Sequence, residues 1–257
     1  MIFPIGDDNT GRGTTPVVTY VLIAINILVF VFAQGLGSND GFTYAFSTVP
    51  QEIVTGQDAV TPDRVLQDPV SGDRFNVPGL QPTPFSVYLT LLTSMFMHGG
   101  FAHLLGNMLF LWIFGDNVED DLGKGRYLAF YLVTGIIASL AHVFSTYMFG
   151  GNPLIPSLGA SGAISGVLGG YLVLHPHRRV RVILVRVITE VPAFVAVGLW
   201  FVFQLVSGLG VFGGGSQEGG VAYAAHIGGF IAGLVLIKLF AIGRGARGAA
   251  PAAPGGF

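Results

Sequence analysis

Six apolar runs, at about 17 to 35, 101 to 117, 126 to 149, 160 to 175, 190 to 212 and 222 to 243, divide this chain. Each approaches the ~20 residues that carry an α-helix across a bilayer. Backbone placed in lipid must satisfy its own hydrogen bonds, so each run is predicted to be a helix and the fold an all-α polytopic bundle of six transmembrane helices. Composition agrees, with 51% of residues hydrophobic and 10% charged, where a soluble domain carries ~25% charged residues. The lipid bilayer is thus the first expected partner, and a net charge of -2 gives no reason to expect nucleic acid. The chain has no cysteine, which excludes disulfides and thiolate metal sites. No cofactor and no metal is expected.

Lysine and arginine fix the orientation, because cytoplasmic segments carry their excess. Arg12, Lys124, Arg126, Arg178, Arg179, Arg181, Arg186, Lys238, Arg244 and Arg247 fall on one side, and only Arg64 and Arg74 on the other. Both termini are therefore expected in the cytoplasm. The opening MIFPIGDDNTGRGTTP lacks the basic start of a cleavable signal, so the first run is read as an anchor. The expected division is a cytoplasmic tail over 1–15, a membrane domain over 16–243 and a disordered cytoplasmic tail over 244–257. The long segment 36–100 carries Gly, Pro and acids, and ends in FSVYLTLLTSMFMHGG, read as a loop helix lying at the interface.

The fourth run is the informative one. From Ser161 to Leu174 it offers 14 residues before His175 and Pro176, or ~21 Å of helix against a hydrocarbon core near ~30 Å. It is too short to cross. If its basic end sits at the cytoplasmic surface, Ser161 stops below the opposite surface, where irregular backbone is tolerated only inside protein or beside water. A submerged helix N-terminus there favours negative charge. The competing role for a serine among glycines is close helix packing, which Ser165 and Gly169 continue on the same stripe, with Gly159 and Gly162 beside Ser161.

The sixth run opens YAAHIGGFIAG, with His226 in an otherwise apolar helix. An ionisable side chain in such a place is a functional candidate by default. Gly229 and Gly233 share its face and can press against the small-residue stripe of the fourth run, bringing His226 to Ser161. A structural histidine bonding a carbonyl is the alternative. In the second run, MHGGFAHLLGNMLF, His103 and Asn107 project from one face as two donors able to hold an oxyanion, or to bond between helices. His98, nearer the loop, is read as structural. Asp116, Glu119, Asp120, Asp121 and Glu190 belong to the cytoplasmic ends, which leaves a Ser/His dyad with helix packing orienting the imidazole.

HGGFAHLLGN, GASG and AHIGGFIAG, in that order on six runs, resemble the rhomboid family of intramembrane serine proteases over essentially all of 16–243. The resemblance implies cleavage of membrane proteins within or beside their transmembrane segments. Ser161 would be the nucleophile and His226 the base and acid, with His103, Asn107 and the Ser161 N–H binding the oxyanion. GDNVEDDLGKGRYL resembles a family segment in which Glu119 is structural. The chain departs from the family at Ser165, where many members place an aromatic residue that packs on the base; the resemblance then supplies no support for His226. It also implies access past the fifth run, where Trp200 and Phe203 form a gate or simply face lipid, and past a capping loop hinged at Gly213 to Gly215 and Gly219.

The alternative reading is a catalytically inactive rhomboid-like protein that binds membrane proteins. A transporter is disfavoured because no inverted repeat and no intramembrane carboxylate is visible. The chain has no HExxH, and Ala163 stands where a soluble-hydrolase elbow has its last glycine. The expected location is a prokaryotic plasma membrane.

Overall fold

The computed structural model describes residues 2–67, 72, 74–184, 187–208 and 223–243. Its principal helices are α1 (Val17–Leu28), α2 (Asp40–Phe46), α3 (Pro50–Thr55), α4 (Thr90–Thr93), α5 (Phe101–Leu122), α6 (Lys124–Met148), α7 (Ser161–Leu174), α8 (Ala193–Gly208) and α9 (Tyr223–Phe240). A π-helical turn, Val29–Ala33, continues α1. Helices thus occupy all six apolar runs. Two of them, α6 and α9, are long and apolar enough to cross a membrane alone; a third span exists if Val87–Phe96 and Phe101–Leu122, bent by 80°, form one broken span. The helix α5 is not among those that qualify alone, and its last turns carry Asp116, Glu119, Asp120 and Asp121.

The chain is mostly helical rather than all-α, since the described residues also form two small sheets. Strand β1 (Ile2–Asp7) pairs antiparallel with β4 (Arg179–Leu184), which pairs with β5 (Val187–Pro192); β2 (Arg64–Gln67) pairs with β3 (Arg74–Val77). The β4–β5 pair occupies the arginine-bearing stretch between the fourth and fifth runs and the start of the fifth run. Arg179 and Arg181 alternate with buried Val180 and Val182, the period-2 pattern of a half-buried strand. The tail 244–257, with Arg244 and Arg247, lies outside the described residues, as do Asp68, Asp73, Arg186 and the loop glycines Gly213 to Gly215 and Gly219.

At the centre is α7, in which every residue from Gly162 to Tyr171 is buried. A helix apolar on all faces can be buried on all faces, and glycine makes the approach close. A Cβ added at Gly229 would lie 2.1 Å from the Gly162 carbonyl oxygen, and one at Gly233 2.0 Å from that of Gly166. On another face of α7, a Cβ at Gly166 would meet Thr134 of α6 at 2.4 Å. Backbone-to-backbone contact of this kind is how small residues gain dispersion energy where lipid offers no hydrophobic drive.

The acids at the end of α5 hold the N-terminal segment. Glu119, 1% exposed, accepts hydrogen bonds from the Val18 and Thr19 N–H groups (2.9 and 2.7 Å) and from Thr19 Oγ1 (2.8 Å), capping α1. Asp116 pairs with Arg12, while Asp120 accepts from Gly13 N–H at 3.0 Å and from the Thr14 hydroxyl. Asp7 of β1 accepts from Asn117 Nδ2 (2.7 Å) and from the Tyr171 hydroxyl (2.8 Å).

Burial pushes the Asp7 carboxyl up to about 7, helped by Asp116 and Asp8 and opposed by the Tyr171 hydrogen bond and Arg178. The folded chain therefore holds a proton that the unfolded chain has released, so stability falls as pH rises from the usual carboxylate range through about 7. Asp7→Asn keeps an acceptor without the charge. Thermal melts in detergent should show the variant gaining on the parent between pH 5 and pH 8; parallel curves would contradict this.

Candidate active site

Ser161 is the first residue of α7, and Gly159, at φ +131°, turns the chain into that helix. A side chain at Gly159 would be strained there and would also strike His103, whose Cε1 and Nε2 lie 2.9 Å from the added Cβ position. The Gly159 N–H donates to the Ser94 carbonyl at 2.9 Å, and Thr48 forms an antiparallel bridge with Ser157. Segments from the long loop thus hold the entry to α7 in place.

His226, on the first turn of α9, faces Ser161 across the glycine contact, with Nε2 2.7 Å from Ser161 Oγ. Both residues are half-buried. The other ring nitrogen, Nδ1, lies 2.8 Å from Oε1 of Gln204 on α8. Gln204 is a buried amide, neither charged nor nucleophilic, and is not among the site residues expected from the sequence. Its signal was available, because a lone amide inside VGLWFVFQLVSG invites the same question as a lone histidine inside an apolar helix.

Two aromatic rings flank the imidazole. Trp200 lies 6.2 Å from it, centroid to centroid, and Tyr223 6.4 Å at 82°. Ser165, four residues after Ser161, is buried and returns its hydroxyl to the Ser161 carbonyl at 2.6 Å. The rings beside His226 therefore come from α8 and α9, where α7 has only a small residue. Trp200 also approaches Phe110 of α5 and Phe230 of α9, whereas Phe203 is 48% exposed. The two residues read above as one gate thus have different surroundings.

The second-run pair sits on α5. His103 Nδ1 accepts the Gly99 N–H at 3.3 Å, which leaves Nε2, beside Gly159, as the protonated donor of a neutral ring. Asn107 is 8% exposed, and its buried Nδ2 has no hydrogen-bond partner among the described residues. Among the described residues this atom makes no interhelical hydrogen bond, the alternative role considered above, and an unpaired buried amide donor costs ~1–3 kcal/mol. The Ser161 N–H, in the first turn of α7, has no intrahelical acceptor. His98 is fully buried and stacks edge-on against His103 at 5.1 Å; Gln34 brackets its backbone, accepting from its N–H at 2.9 Å and donating to its carbonyl at 3.0 Å.

A hydroxyl in hydrogen-bonding contact with an imidazole, at a helix start whose first N–H groups have no intrahelical acceptor, offers groups of the kind that acyl transfer uses. The Rhomboid domain family model matches residues 86–242, a stretch running from just before α4 through α9. The chain belongs to the rhomboid family. It is 33% identical over 147 residues to Rhomboid protein 1, mitochondrial, of Saccharomyces cerevisiae, covering 57% of this chain and 40% of that one. It is 37% identical over 144 residues to the rhomboid protease GluP of Bacillus subtilis, covering 56% and 24%. With the zebrafish presenilin-associated rhomboid-like protein A, mitochondrial, identity is 35% over 102 residues, covering 39% and 26%. The matches span 40% or less of the length of these relatives.

Proposed function

We propose that this chain is an intramembrane serine endopeptidase that hydrolyses peptide bonds within or next to transmembrane segments of other membrane proteins. The observation that carries this reading is the 2.7 Å contact between Ser161 Oγ and His226 Nε2, made across two helices in a partly exposed site. As the substrate carbonyl arrives, His226 takes the Ser161 proton and Oγ attacks the carbonyl carbon. The negative charge on the carbonyl oxygen is held by the Ser161 N–H, His103 and the unpaired Nδ2 of Asn107. His226 then protonates the leaving amine, and water repeats the sequence on the acyl-enzyme.

In this reading all six apolar helices lie in the membrane, and the β1–β4–β5 sheet and both termini face the cytoplasm of a prokaryote. Substrates enter beside α8. Trp200, packed between α5 and α9, is the inner element of that gate, and Phe203 its lipid-facing one.

The test is proteolysis in liposomes holding the full chain and a single-span reporter whose helix is weakened by Gly and Pro. Parent protein should release a fragment cut in or near the span, and Ser161→Ala none. Undiminished binding of the reporter with no cutting by the parent would instead support the inactive binding protein.

A further inference from the structure

We infer that Gln204 is the positioning residue for His226, holding the imidazole in the one neutral tautomer that can deprotonate Ser161. The inference rests on the hydrolytic reading above and adds to it a third member on a third helix.

A neutral imidazole has one donor and one acceptor nitrogen, and the partner of one decides the role of the other. If Nδ1 carries the hydrogen, Nε2 has a lone pair facing the Ser161 hydroxyl, and the ring is a base. If Nε2 carries it, the ring donates to Ser161 Oγ and can take no proton from it. Gln204 Oε1, an amide oxygen and hence only an acceptor, lies 2.8 Å from Nδ1. It therefore selects the Nδ1–H form, which leaves the 2.7 Å contact between Nε2 and Ser161 Oγ to run from hydroxyl to ring.

An amide suits this place better than a carboxylate. Its carbonyl dipole orients the ring and favours the imidazolium formed during attack, without the several kcal/mol needed to desolvate a charge in the membrane. The sequence concentrates these functions on one face of α8. Gln204 follows Trp200 by four residues, so one turn of one helix supplies both a ring beside the imidazole and an acceptor for its N–H. Ser165 supplies neither, because its hydroxyl is bonded back to the Ser161 carbonyl. Seating α8 against α9 thus prepares the base.

The experiment uses the full chain in lipid nanodiscs, as parent, Gln204→Leu and Gln204→Glu. Imidazole 15N spectra report which ring nitrogen of His226 is protonated, and the rate of phosphonylation of Ser161 by a fluorophosphonate reports the base. The parent should show Nδ1–H at neutral pH. Gln204→Leu, an apolar side chain of similar size that leaves the helix embedded, should lose that preference and react roughly 10²-fold more slowly, the lower range for loss of a positioned base. Gln204→Glu keeps an acceptor oxygen and should retain the Nδ1–H form, with a lower Tm than the parent from the desolvated carboxylate. An Nε2–H tautomer in the parent, or a Leu variant with parental spectrum and rate, would overturn the assignment. Should the parent's Ser161 fail to react at all, the hydrolytic reading falls, while the tautomers of the parent and the Leu variant still decide whether Gln204 sets the ring.

Discussion

Gly233→Val should leave the protein unable to keep its fold in mild detergent. The added Cβ would stand 2.0 Å from the Gly166 carbonyl oxygen and within 2.9 Å of the Gly166 carbonyl carbon and Cα. All three are backbone atoms of a helix buried on every face, so no rotamer change relieves the clash. Overpacking a well-packed core costs ~1–3 kcal/mol even where side chains can yield. Here two backbones must separate, and the loss should exceed ~3 kcal/mol, a drop in Tm of roughly 10 °C or more for a chain of this size. Separation also carries His226 away from Ser161, so activity goes with the fold. Gly198→Ala is the control, because a Cβ there meets nothing within 4 Å and alanine favours helix. Its Tm should match or slightly exceed the parent's. A Gly233→Val protein with parental Tm would mean that α7 and α9 are not in backbone contact.

Asn107→Ala should do the reverse, sparing the fold and removing turnover. The Nδ2 group is buried and forms no hydrogen bond among the described residues, so truncation gives up no partner of that atom and removes a desolvated donor. Stability should hold or rise. In the proposed reaction the same donor meets the negative oxygen, and loss of one such donor costs ~10²–10³ in kcat with little change in KM. Unchanged kcat in the reporter assay would remove Asn107 from the reaction.

The contrast between the two variants separates what the sequence disclosed from what it concealed. Apolar runs and glycine spacing marked where the helices lie and which faces of α7 and α9 meet, because glycine and apolar residues act through local period and close approach. The meeting of Ser161 and His226 was legible for a related reason, since each lies beside the small-residue stripe of its helix and those stripes pack together. The β1–β4 pairing was not legible. Its partners are far apart in the chain, and β1 contains Pro4 and Gly6, residues that weaken strand propensity. The alternation of Arg179, Val180, Arg181 and Val182 was visible, but its arginines were read for charge rather than for strand period. Gln204 was legible only as a polar side chain in an apolar run; that its oxygen lies opposite a ring nitrogen depends on how α8 packs on α9. The sequence leaves open, at Ser165, what supports His226, and the groups beside its ring come from α8 and α9.

The central claim is that His226 makes the Ser161 hydroxyl a nucleophile. Treatment of the full chain with a fluorophosphonate, followed by proteolysis and mass spectrometry, locates the phosphonyl group directly. The adduct should fall on Ser161 in the parent and be absent from His226→Ala over the same interval, with both proteins equally folded. Equal labelling of Ser161 in the two proteins, or an adduct on a different serine, would contradict the account.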